Sequence, residues 1–392
     1  MSERKVTVVW LMNSMPPYRS SVCLRARREL KLDLVSAVTH DPCEGNRWPR
    51  VPQEVLPQVF FAPHQMPGPV SRGELAGDVF KAMKVLRWIW RVRPAAMIVY
   101  GYNDFTRMLA VAWCRISGTP VFVAGDSNIH GESRRPLIRA LKSAYLSPLL
   151  RLTNGAMPHG SLGSAYFRKY GVPRSRIYRL PLEPDYASIA AVSADRIHSI
   201  ATRLGFAPDR RRIVYSGRLV EVKRVDLLIQ AFNRIAVQRP DWDLIVLGSG
   251  PLESQLRDAV AADLVARVQF VPAFRDPQDV FAVYRSCDVL VLPSDYEPWA
   301  IVINEAAASG LAMVCSDVVG AAADLLRDGV NGRSFRRGSL DGLTAALLDV
   351  TEPANLSLYK AASPQVVADW RRDADPVQGI ARALRDNGIT VG

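Results

Sequence analysis

Residues 288–310 decide the fold and read DVLVLPSDYEPWAIVINEAAASG. Val289–Leu292 form a short apolar run, which predicts a strand buried on both faces. A polar turn follows, and Pro298 stands where the first turn of a helix tolerates proline. A helix is expected over Ala300–Ala308, closed by Gly310 as a C-terminal cap. A buried strand, a loop and a helix therefore follow one another, as in a parallel α/β sheet.

The start of this helix is a candidate anion site. Its first N–H groups have no intrahelical acceptor, and the helix dipole is positive at that end. Glu297 in the loop and Glu305 on the helix have seven residues between them, so we expect them to contact different parts of one ligand. The amides expected to bind the anion are those of Trp299, Ala300, Ile301 and Val302.

A second cluster of candidate residues follows the strand expected over Ile213–Leu219. Gly217 lets the backbone come close to a ligand. Arg218 and Lys223, five residues apart, place two cations beside it. Fixed cations lower the barrier to a reaction in which negative charge develops on a leaving group. The later Gly248-x-Gly250 lacks a third glycine because Glu253 occupies its position, which argues against a nicotinamide dinucleotide site.

The Glu-x7-Glu arrangement of Glu297 and Glu305 resembles the signature of retaining glycosyltransferases of the GT-B fold, family 4, which use nucleotide-sugars. The resemblance covers nearly the whole chain and is densest over 213–335. It implies an α/β architecture of two Rossmann-like doubly wound domains that face each other across a cleft. Family members usually carry EGFG where this chain carries Glu297-Pro298-Trp299-Ala300, so the β-carbon of Ala300 narrows the approach to the backbone amides.

The resemblance also implies a role for each site residue. Glu305 would accept hydrogen bonds from the ribose, and Glu297 would hold the donor sugar as nucleophile or as electrostatic support. Arg218, Lys223 and the amides at the helix start would bind the diphosphate. Phe274 lies where the family holds the base through backbone atoms, although it could equally belong to the core. No metal and no cofactor other than the nucleoside-diphosphate sugar are implied.

Length and charge suggest how the chain is organised. The 392 residues suit two domains, which we expect at 1–184 and 185–375, with 376–392 as a helix that returns to the first domain. Residues 1–182 contain 27 Lys and Arg against 11 Asp and Glu, whereas the whole chain carries a net charge of +12. The basic half predicts contact with an anionic surface, and a solvated basic face that aids solubility is the alternative.

The first domain offers candidate residues at the ends of its strands. The loop from Asn13 to Arg19 follows the first strand, and Tyr18 and Arg19 could contact a ligand there, unless Pro16-Pro17 is only a rigid connector. His130 follows another strand and resembles the family's active-site histidine, with Asp126 and Ser127 as alternates. His159 is interpreted as structural.

Two basic helices and the end of the domain are further expectations. Residues 134–151 predict a basic amphipathic helix with Arg135, Arg139 and Lys142, which suits anionic lipid head groups or an ordinary solvated face. The helix at 78–92 is expected to pack its tryptophans Trp88 and Trp90 on the sheet, and a membrane surface is the alternative that its Lys, Arg and Trp content allows. A last strand is expected at 176–181, the segment 41–73 is expected to be rich in loops, and residues 365–388 predict one helix.

Taken with the resemblance, these patterns predict a retaining, metal-independent hexosyltransferase. It would move a sugar to a saccharide or lipid-linked acceptor in cell-surface polysaccharide or glycolipid synthesis. Five scattered cysteines without Cys-x-x-Cys spacing favour a reducing cytoplasm, and peripheral attachment to the inner face of the plasma membrane is expected. A sugar-nucleotide epimerase of the same fold and a non-catalytic GT-B-like subunit are the alternatives. No nucleic-acid recognition motif stands out.

Overall fold

The protein has two compact units. The computed structural model describes residues 5–39, 52, 55–61, 75–132 and 135–392. Unit 1 comprises Met1–Glu183 and Ala374–Gly392, and unit 2 comprises Pro184–Asp373. Cys43, Arg134 and most of the segment 41–73 lie outside the described residues. Cys23, Cys114, Cys287 and Cys315 are buried free thiols.

Unit 1 contains a parallel sheet of six strands in the order β3-β2-β1-β4-β5-β6. The order reverses between β1 and β4, and sheets of this kind bind ligands at the carboxyl ends of the strands beside that point. The central strands are apolar along their length because helices cover both faces. The strands are β1 (Thr7–Met12), β2 (Asp33–Val38), β3 (Gln58–Phe60), β4 (Ala96–Tyr100), β5 (Val121–Gly125) and β6 (Gly155–Pro158).

Helices cover the two faces of this sheet unequally. The first helix packs in one core with β1, whereas the next four contribute to a second core on the opposite face. The third helix begins with a side-chain cap: the carboxylate of Asp104 accepts a hydrogen bond from the Arg107 amide at 3.0 Å. The helices are α1 (Pro17–Glu29), α2 (Leu75–Val92), α3 (Phe105–Ser117), α4 (Pro136–Arg151) and α5 (Ser161–Lys169).

Unit 2 repeats this topology with a second parallel sheet, ordered β12-β11-β10-β7-β8-β9. Its order reverses between β7 and β10. The strand predicted at Val289–Leu292 is β10, and it is fully buried between its two neighbours. The strands are β7 (Arg211–Ser216), β8 (Trp242–Leu247), β9 (Val268–Val271), β10 (Val289–Leu292), β11 (Ala312–Ser316) and β12 (Gly332–Phe335).

Nine helices numbered α6 to α14 are described in this part of the chain. Among them α8, α10 and α11 follow β7, β9 and β10, so each begins at the carboxyl edge of the sheet. They are α6 (Tyr186–Ala190), α7 (Ala194–Arg203), α8 (Val225–Ile235), α9 (Glu253–Asp258), α10 (Pro277–Arg285), α11 (Ile301–Ala308), α12 (Ala322–Leu325), α13 (Leu340–Val350) and α14 (Pro353–Ala374).

The chain ends with α15 (Pro376–Arg385), which lies in unit 1 and shares a core with α1. Arg25 on α1 bonds to Asp375 at 2.6 Å and also to Glu183. The single helix expected over 365–388 is therefore wrong. Pro376 interrupts it because proline has no N–H for the helix ladder, and Asp375 caps the new helix through the amides of Val377 and Gln378.

Two further expectations for unit 1 are wrong. The strand expected over 176–181 does not form: Ile177 makes one isolated bridge to Ala156. The facing edge strand is short and ends in Pro158, which has no N–H to donate. On α2, Trp88 packs against Phe61 at 5.6 Å between ring centroids, but Trp90 is 54% exposed and does not pack on the sheet.

Candidate functional site

The candidate site lies in unit 2, at the carboxyl ends of β7 and β10. These two strands are neighbours, with Val289 opposite Ile213 and Leu290 opposite Val214. The loops that leave them therefore start side by side, at the point where the strand order reverses. This is the position at which doubly wound sheets bind their ligands.

Close backbone approach shapes the turn after β7. A β-carbon on Gly248 would lie 1.9 Å from the carbonyl oxygen of Gly217, and one on Gly250 would lie 2.3 Å from the carbonyl oxygen of Leu219. Glycine is therefore required at both positions of the Gly-x-Gly sequence. The Tyr215 hydroxyl donates to the Arg218 carbonyl oxygen at 2.8 Å and supports the turn. The Arg218 side chain is exposed.

The second cation contacts the first glutamate. Lys223 ends a short 3-10 helix, and its Nζ forms an ion pair with Oε1 of Glu297. Ser294 donates to the same oxygen at 3.2 Å. Glu297 is only 6% exposed, so its carboxylate is held by neighbouring donors rather than by water. Burial first, and the Glu297 charge second, raise the pKa of the neighbouring Tyr215.

Backbone and side-chain contacts hold these two loops together. The Asp295 amide donates to the Val222 carbonyl oxygen at 2.8 Å. Arg224 lies 3.3 Å from a carboxylate oxygen of Asp295 and 3.1 Å from one of Asp226. Arg224 itself adopts a left-handed conformation with φ of 52°. The loop after β7 is therefore fixed against the loop after β10, which positions Lys223.

The helix start follows this loop directly. Ala300 precedes α11 in the left-handed region, with φ of 77° and ψ of 81°, and it makes no side-chain cap. The amides of Ile301 and Val302, at the first two helical positions, have no acceptor within the helix. A β-carbon on Gly320 would lie 2.1 Å from the Pro298 carbonyl oxygen, so a second loop packs closely behind this turn.

The Trp299 side chain points into the core of unit 2. Its indole donates to the Asn304 side-chain oxygen at 3.1 Å, and its ring lies 5.8 Å from that of Trp370. Asn304 in turn donates to the Tyr186 hydroxyl at 2.9 Å. Trp299 is 3% exposed, so its side chain is not available to a ligand in this site.

Glu305 lies one turn into α11 and faces a tyrosine that sequence reasoning missed. The Tyr284 hydroxyl is 2.7 Å from the Ser216 hydroxyl oxygen and 3.4 Å from a carboxylate oxygen of Glu305. Burial raises the pKa of Glu305 to about 7. Tyr284 has no motif in the sequence to mark it, because its role depends on α10 packing beside the end of β7.

The remaining predicted residues lie elsewhere. Phe274 follows β9 at the edge of the sheet, half-buried, with the Arg203 guanidinium 4.9 Å from its ring centroid. His130 belongs to unit 1, where its ring is exposed and its amide bonds to Asn128 at 3.0 Å. Asp126 is exposed there, and the Ser127 hydroxyl lies 2.6 Å from that of Tyr102.

The described residues contain neither a cluster of metal ligands nor a membrane-spanning helix. Within 5–39, 52, 55–61, 75–132 and 135–392, no group of three or more His, Cys, Asp or Glu side chains could hold a metal ion. Among the helices of these residues, none combines the length and the apolar character needed to cross a bilayer.

Comparison with known families matches this site to glycosyl transferases. The family described as "Glycosyl transferases group 1" matches residues 198–360. A phosphatidyl-myo-inositol mannosyltransferase of Mycolicibacterium smegmatis is 30% identical over 192 residues, which are 48% of this chain and 49% of that protein. A glycogen synthase of Mycobacterium tuberculosis is 31% identical over 47% of this chain and 46% of its own length. The chain thus spans about half the length of these curated relatives.

Solved structures extend the likeness to both units. A glycosyltransferase from Rickettsia africae has a TM-score of 0.73 at 10% identity and covers 98% of each chain. Anabaena Alr3699/HepE in complex with UDP and glucose has a TM-score of 0.70 at 18% identity and covers 97% of this chain and 100% of its own. Identities this low concern the fold alone, and they confirm the predicted α/β GT-B fold.

The left-handed backbone at Ala300 predicts a stability gain on substitution. An alanine in this region costs roughly 1–2 kcal/mol, partly offset by the larger unfolded-state entropy of glycine. Ala300→Gly should therefore raise the free energy of unfolding by about 0.5–1 kcal/mol in denaturant titration. The control Ala345→Gly, at an exposed position in the middle of α13, should lower it by about 1 kcal/mol. A loss of stability in Ala300→Gly would contradict the strain.

The raised pKa of Glu305 predicts how stability depends on pH. Its carboxyl group titrates at about 7 in the folded protein against 4.5 as its ordinary value, so the folded state binds the extra proton between those pH values. Stability should therefore fall as pH rises from 4.5 to 7, by at most about 3 kcal/mol from this group. Glu305→Gln should remove that slope in unfolding curves measured across this range. If the stability of the wild type and of Glu305→Gln changed with pH in the same way, the raised pKa of Glu305 would be contradicted.

Proposed function

We propose that this protein transfers a sugar from a nucleoside diphosphate to an acceptor, because residues 198–360 match the family of group 1 glycosyl transferases. The proposal is a hexosyl transfer of family 4 type that retains the anomeric configuration and needs no metal. The observation that carries it is the contact between Lys223 and Glu297, which lies inside the matched segment. Glu297 stands four residues before the start of α11, which has no side-chain cap.

The proposed roles follow from the charge that develops in the reaction. As the bond between the anomeric carbon and the diphosphate breaks, negative charge grows on the leaving oxygen. Lys223 and the exposed Arg218 would stabilise that charge, together with the unpaired amides of Ile301 and Val302. Lys223, held by Glu297, and the two amides at the start of α11 are in place before substrate binds, so little reorganisation of these groups is needed during the reaction.

The two glutamates would hold opposite ends of the donor. Glu305 faces the Tyr284 hydroxyl and Ser216, where a carboxylate could accept hydrogen bonds from ribose hydroxyls. Glu297 would hold the donor sugar near the reacting carbon, and its ion pair with Lys223 keeps its carboxylate oriented. Phe274 and its backbone would lie beside the base. His130 keeps the active-site role that the family resemblance implies for it.

The acceptor side of the proposal concerns unit 1. We place the acceptor, a saccharide or a lipid-linked saccharide of cell-surface polymer or glycolipid synthesis, on this basic unit. Anabaena Alr3699/HepE was crystallised with UDP and UDP-glucose, which makes UDP the first nucleotide to test. An epimerase would release or convert a nucleotide-sugar without acceptor, and a non-catalytic subunit would do neither.

Unit 1 also carries a surface suited to an anionic membrane. Helix α4 exposes Leu137 to 72% and Leu141 to 63%, with Arg139 exposed between them. The core formed by β4 and β5 includes residues from both α2 and α4, so both helices cover one face of the sheet. Helix α2 adds exposed Phe80, Met83 and Trp90 with Lys84, Arg87 and Arg91.

One basic residue of α4 does not contribute to this membrane surface. Lys142 was expected beside Arg139, but its Nζ bonds to Glu132 at 3.0 Å and lies 4.8 Å from the Tyr166 ring centroid. The apolar side chains with the exposed cations of α2 and α4 still combine burial with electrostatic attraction of about 1 kcal/mol per basic residue near anionic lipid. We propose peripheral attachment to the cytoplasmic face of the plasma membrane through this surface.

Substitution of Lys223 tests the donor site. A charge-assisted hydrogen bond contributes about 1.5–3 kcal/mol, so Lys223→Ala should weaken binding of UDP or of the preferred nucleotide about 10- to 100-fold. Glu305→Ala should weaken it as well. Arg211→Ala, an exposed cation at the start of β7, is the control and should bind normally in calorimetry. Unchanged affinity in both site variants would reject these roles.

Turnover separates the three possible functions. Nucleotide release from a panel of nucleotide-sugars, with and without saccharide or lipid-linked acceptors, should depend on acceptor. Nucleotide release or sugar conversion that needs no acceptor would favour the epimerase. No nucleotide release with any combination of nucleotide-sugar and acceptor would favour the non-catalytic subunit.

Vesicle binding tests the membrane surface. Flotation with vesicles of phosphatidylglycerol and phosphatidylcholine should recover the wild-type protein, and binding should fall at high salt because the attraction is screened. Leu137→Glu/Leu141→Glu should abolish recovery, whereas Val237→Glu, an equally exposed apolar position of unit 2, should not change it. Equal recovery of both variants would reject the surface.

A further inference from the structure

A buried arginine occupies the ligand-binding edge of unit 1 and is not used by the function proposed above. Arg19 lies in the first turn of α1, beyond the end of β1, and is 7% exposed. Its guanidinium carbon is 3.6 Å from the centroid of the Tyr100 ring, at the end of β4. β1 and β4 are the strands between which the order of the sheet reverses.

Arg19 has too few partners for a buried cation. Its Nη1 donates a long hydrogen bond to the Ser14 carbonyl oxygen, at 3.5 Å, and its Nε is buried without a hydrogen-bond partner. In the part of the chain that the structure describes, no carboxylate lies within ion-pair distance of it. A buried charge without a counter-ion is strongly destabilising unless something compensates it.

The neighbouring arginine, Arg107, is also buried, but it has hydrogen-bond and ion-pair partners within the fold. Arg107 on α3 is 2% exposed, pairs with Asp104, and bonds to the side chain of Asn13 and to the Tyr100 carbonyl oxygen at 2.5 Å. All of its contacts are therefore internal to the fold. Burial first, and the charge of Arg19 second, lower the pKa of Arg107 to about 10.

Other charged groups around Arg19 do not neutralise it. His159 is buried: its Nδ1 donates to the Leu180 carbonyl oxygen at 2.7 Å, so its Nε2 accepts from the Tyr100 hydroxyl at 3.0 Å. Burial lowers the pKa of His159 to about 4, so the ring is neutral at pH 7. Among the residues that the structure describes, the carboxylates near Arg19 are Asp104, which Arg107 uses, and the exposed Asp126.

We propose that unit 1 binds an oxyanion at this edge of its sheet through Arg19. Two buried guanidiniums, one of them without a carboxylate, meet where a doubly wound sheet binds its ligand. Given the glycosyl transfer proposed above, the oxyanion belongs to the acceptor, which carries a phosphate or a carboxylate group. The stacked Tyr100 ring fixes the plane of the guanidinium and so the direction from which the anion approaches.

Inorganic phosphate is the probe, in protein whose unit 2 site is filled with saturating UDP. Phosphate should raise the melting temperature of the wild type further, in proportion to its binding. Arg19→Gln should bind phosphate about tenfold or more weakly, since a charge-assisted contact is lost. Arg115→Gln, an exposed arginine of α3, is the matched control and should respond like the wild type.

Stability without phosphate distinguishes a binding residue from a structural one. Arg19→Gln should be at least as stable as the wild type in phosphate-free buffer, because an uncompensated charge has been removed. Arg19→Lys keeps the charge but loses the planar fork, so it should fold and bind phosphate more weakly. A strong loss of stability in Arg19→Gln, or phosphate binding unchanged in both variants, would overturn the proposal. So would a wild type that does not respond to phosphate.

Kinetics test the assignment to the acceptor separately. Phosphate should inhibit turnover in competition with the acceptor and not with the nucleotide-sugar. Competition with the nucleotide-sugar instead would overturn that assignment. Repeating the phosphate titration in Lys223→Ala separates the two proposals, because this substitution should weaken UDP binding and leave the Arg19-dependent response to phosphate unchanged.

Discussion

The ion pair between Lys223 and Glu297 is the interaction on which the donor site depends. Each residue lies in a loop that leaves the carboxyl end of a different strand, and the strands β7 and β10 are adjacent only because the sheet order reverses between them. Ser294 and the bond from the Asp295 amide to the Val222 carbonyl oxygen fix the same junction. The pair is nearly buried, so its charges act in a medium that screens them little. A phosphate that enters here meets a cation already held in place.

The fold could be predicted because its signals are local. Apolar runs such as Val289–Leu292 are what a strand buried on both faces requires, and glycines such as Gly248 stand where a β-carbon would meet backbone. Where the sequence misled, longer-range packing decided. Trp90 looked like core, yet α2 turns that side outward, and residues 176–181 looked like a strand, yet their edge partner ends in Pro158.

Spacing and residue type were enough to predict which residues belong to the site, but not which of them contact one another. Glu297 and Lys223 belong to separate sequence motifs, and their contact depends on tertiary structure that no spacing within either loop encodes. Tyr284 was missed for the same reason, since it faces Glu305 only through the packing of α10 on α11. The left-handed Ala300 was visible in the sequence only as a missing glycine. The roles given to these residues stay predictions.

The two units present different groups to a ligand. Unit 2 presents backbone amides and a paired lysine, whereas unit 1 presents exposed cations and a buried Arg19.

Hydrogen exchange with bound nucleotide tests the central claim most directly. UDP, GDP and ADP are compared for thermal stabilisation, and the tightest is used to map amide protection. The account predicts slower exchange at the amides of Ile301 and Val302 and in the turn 217–223, with no comparable change at the opposite, amino-terminal edge of the same sheet. Binding that leaves both segments unprotected, or no stabilisation by any of these nucleotides, would contradict it.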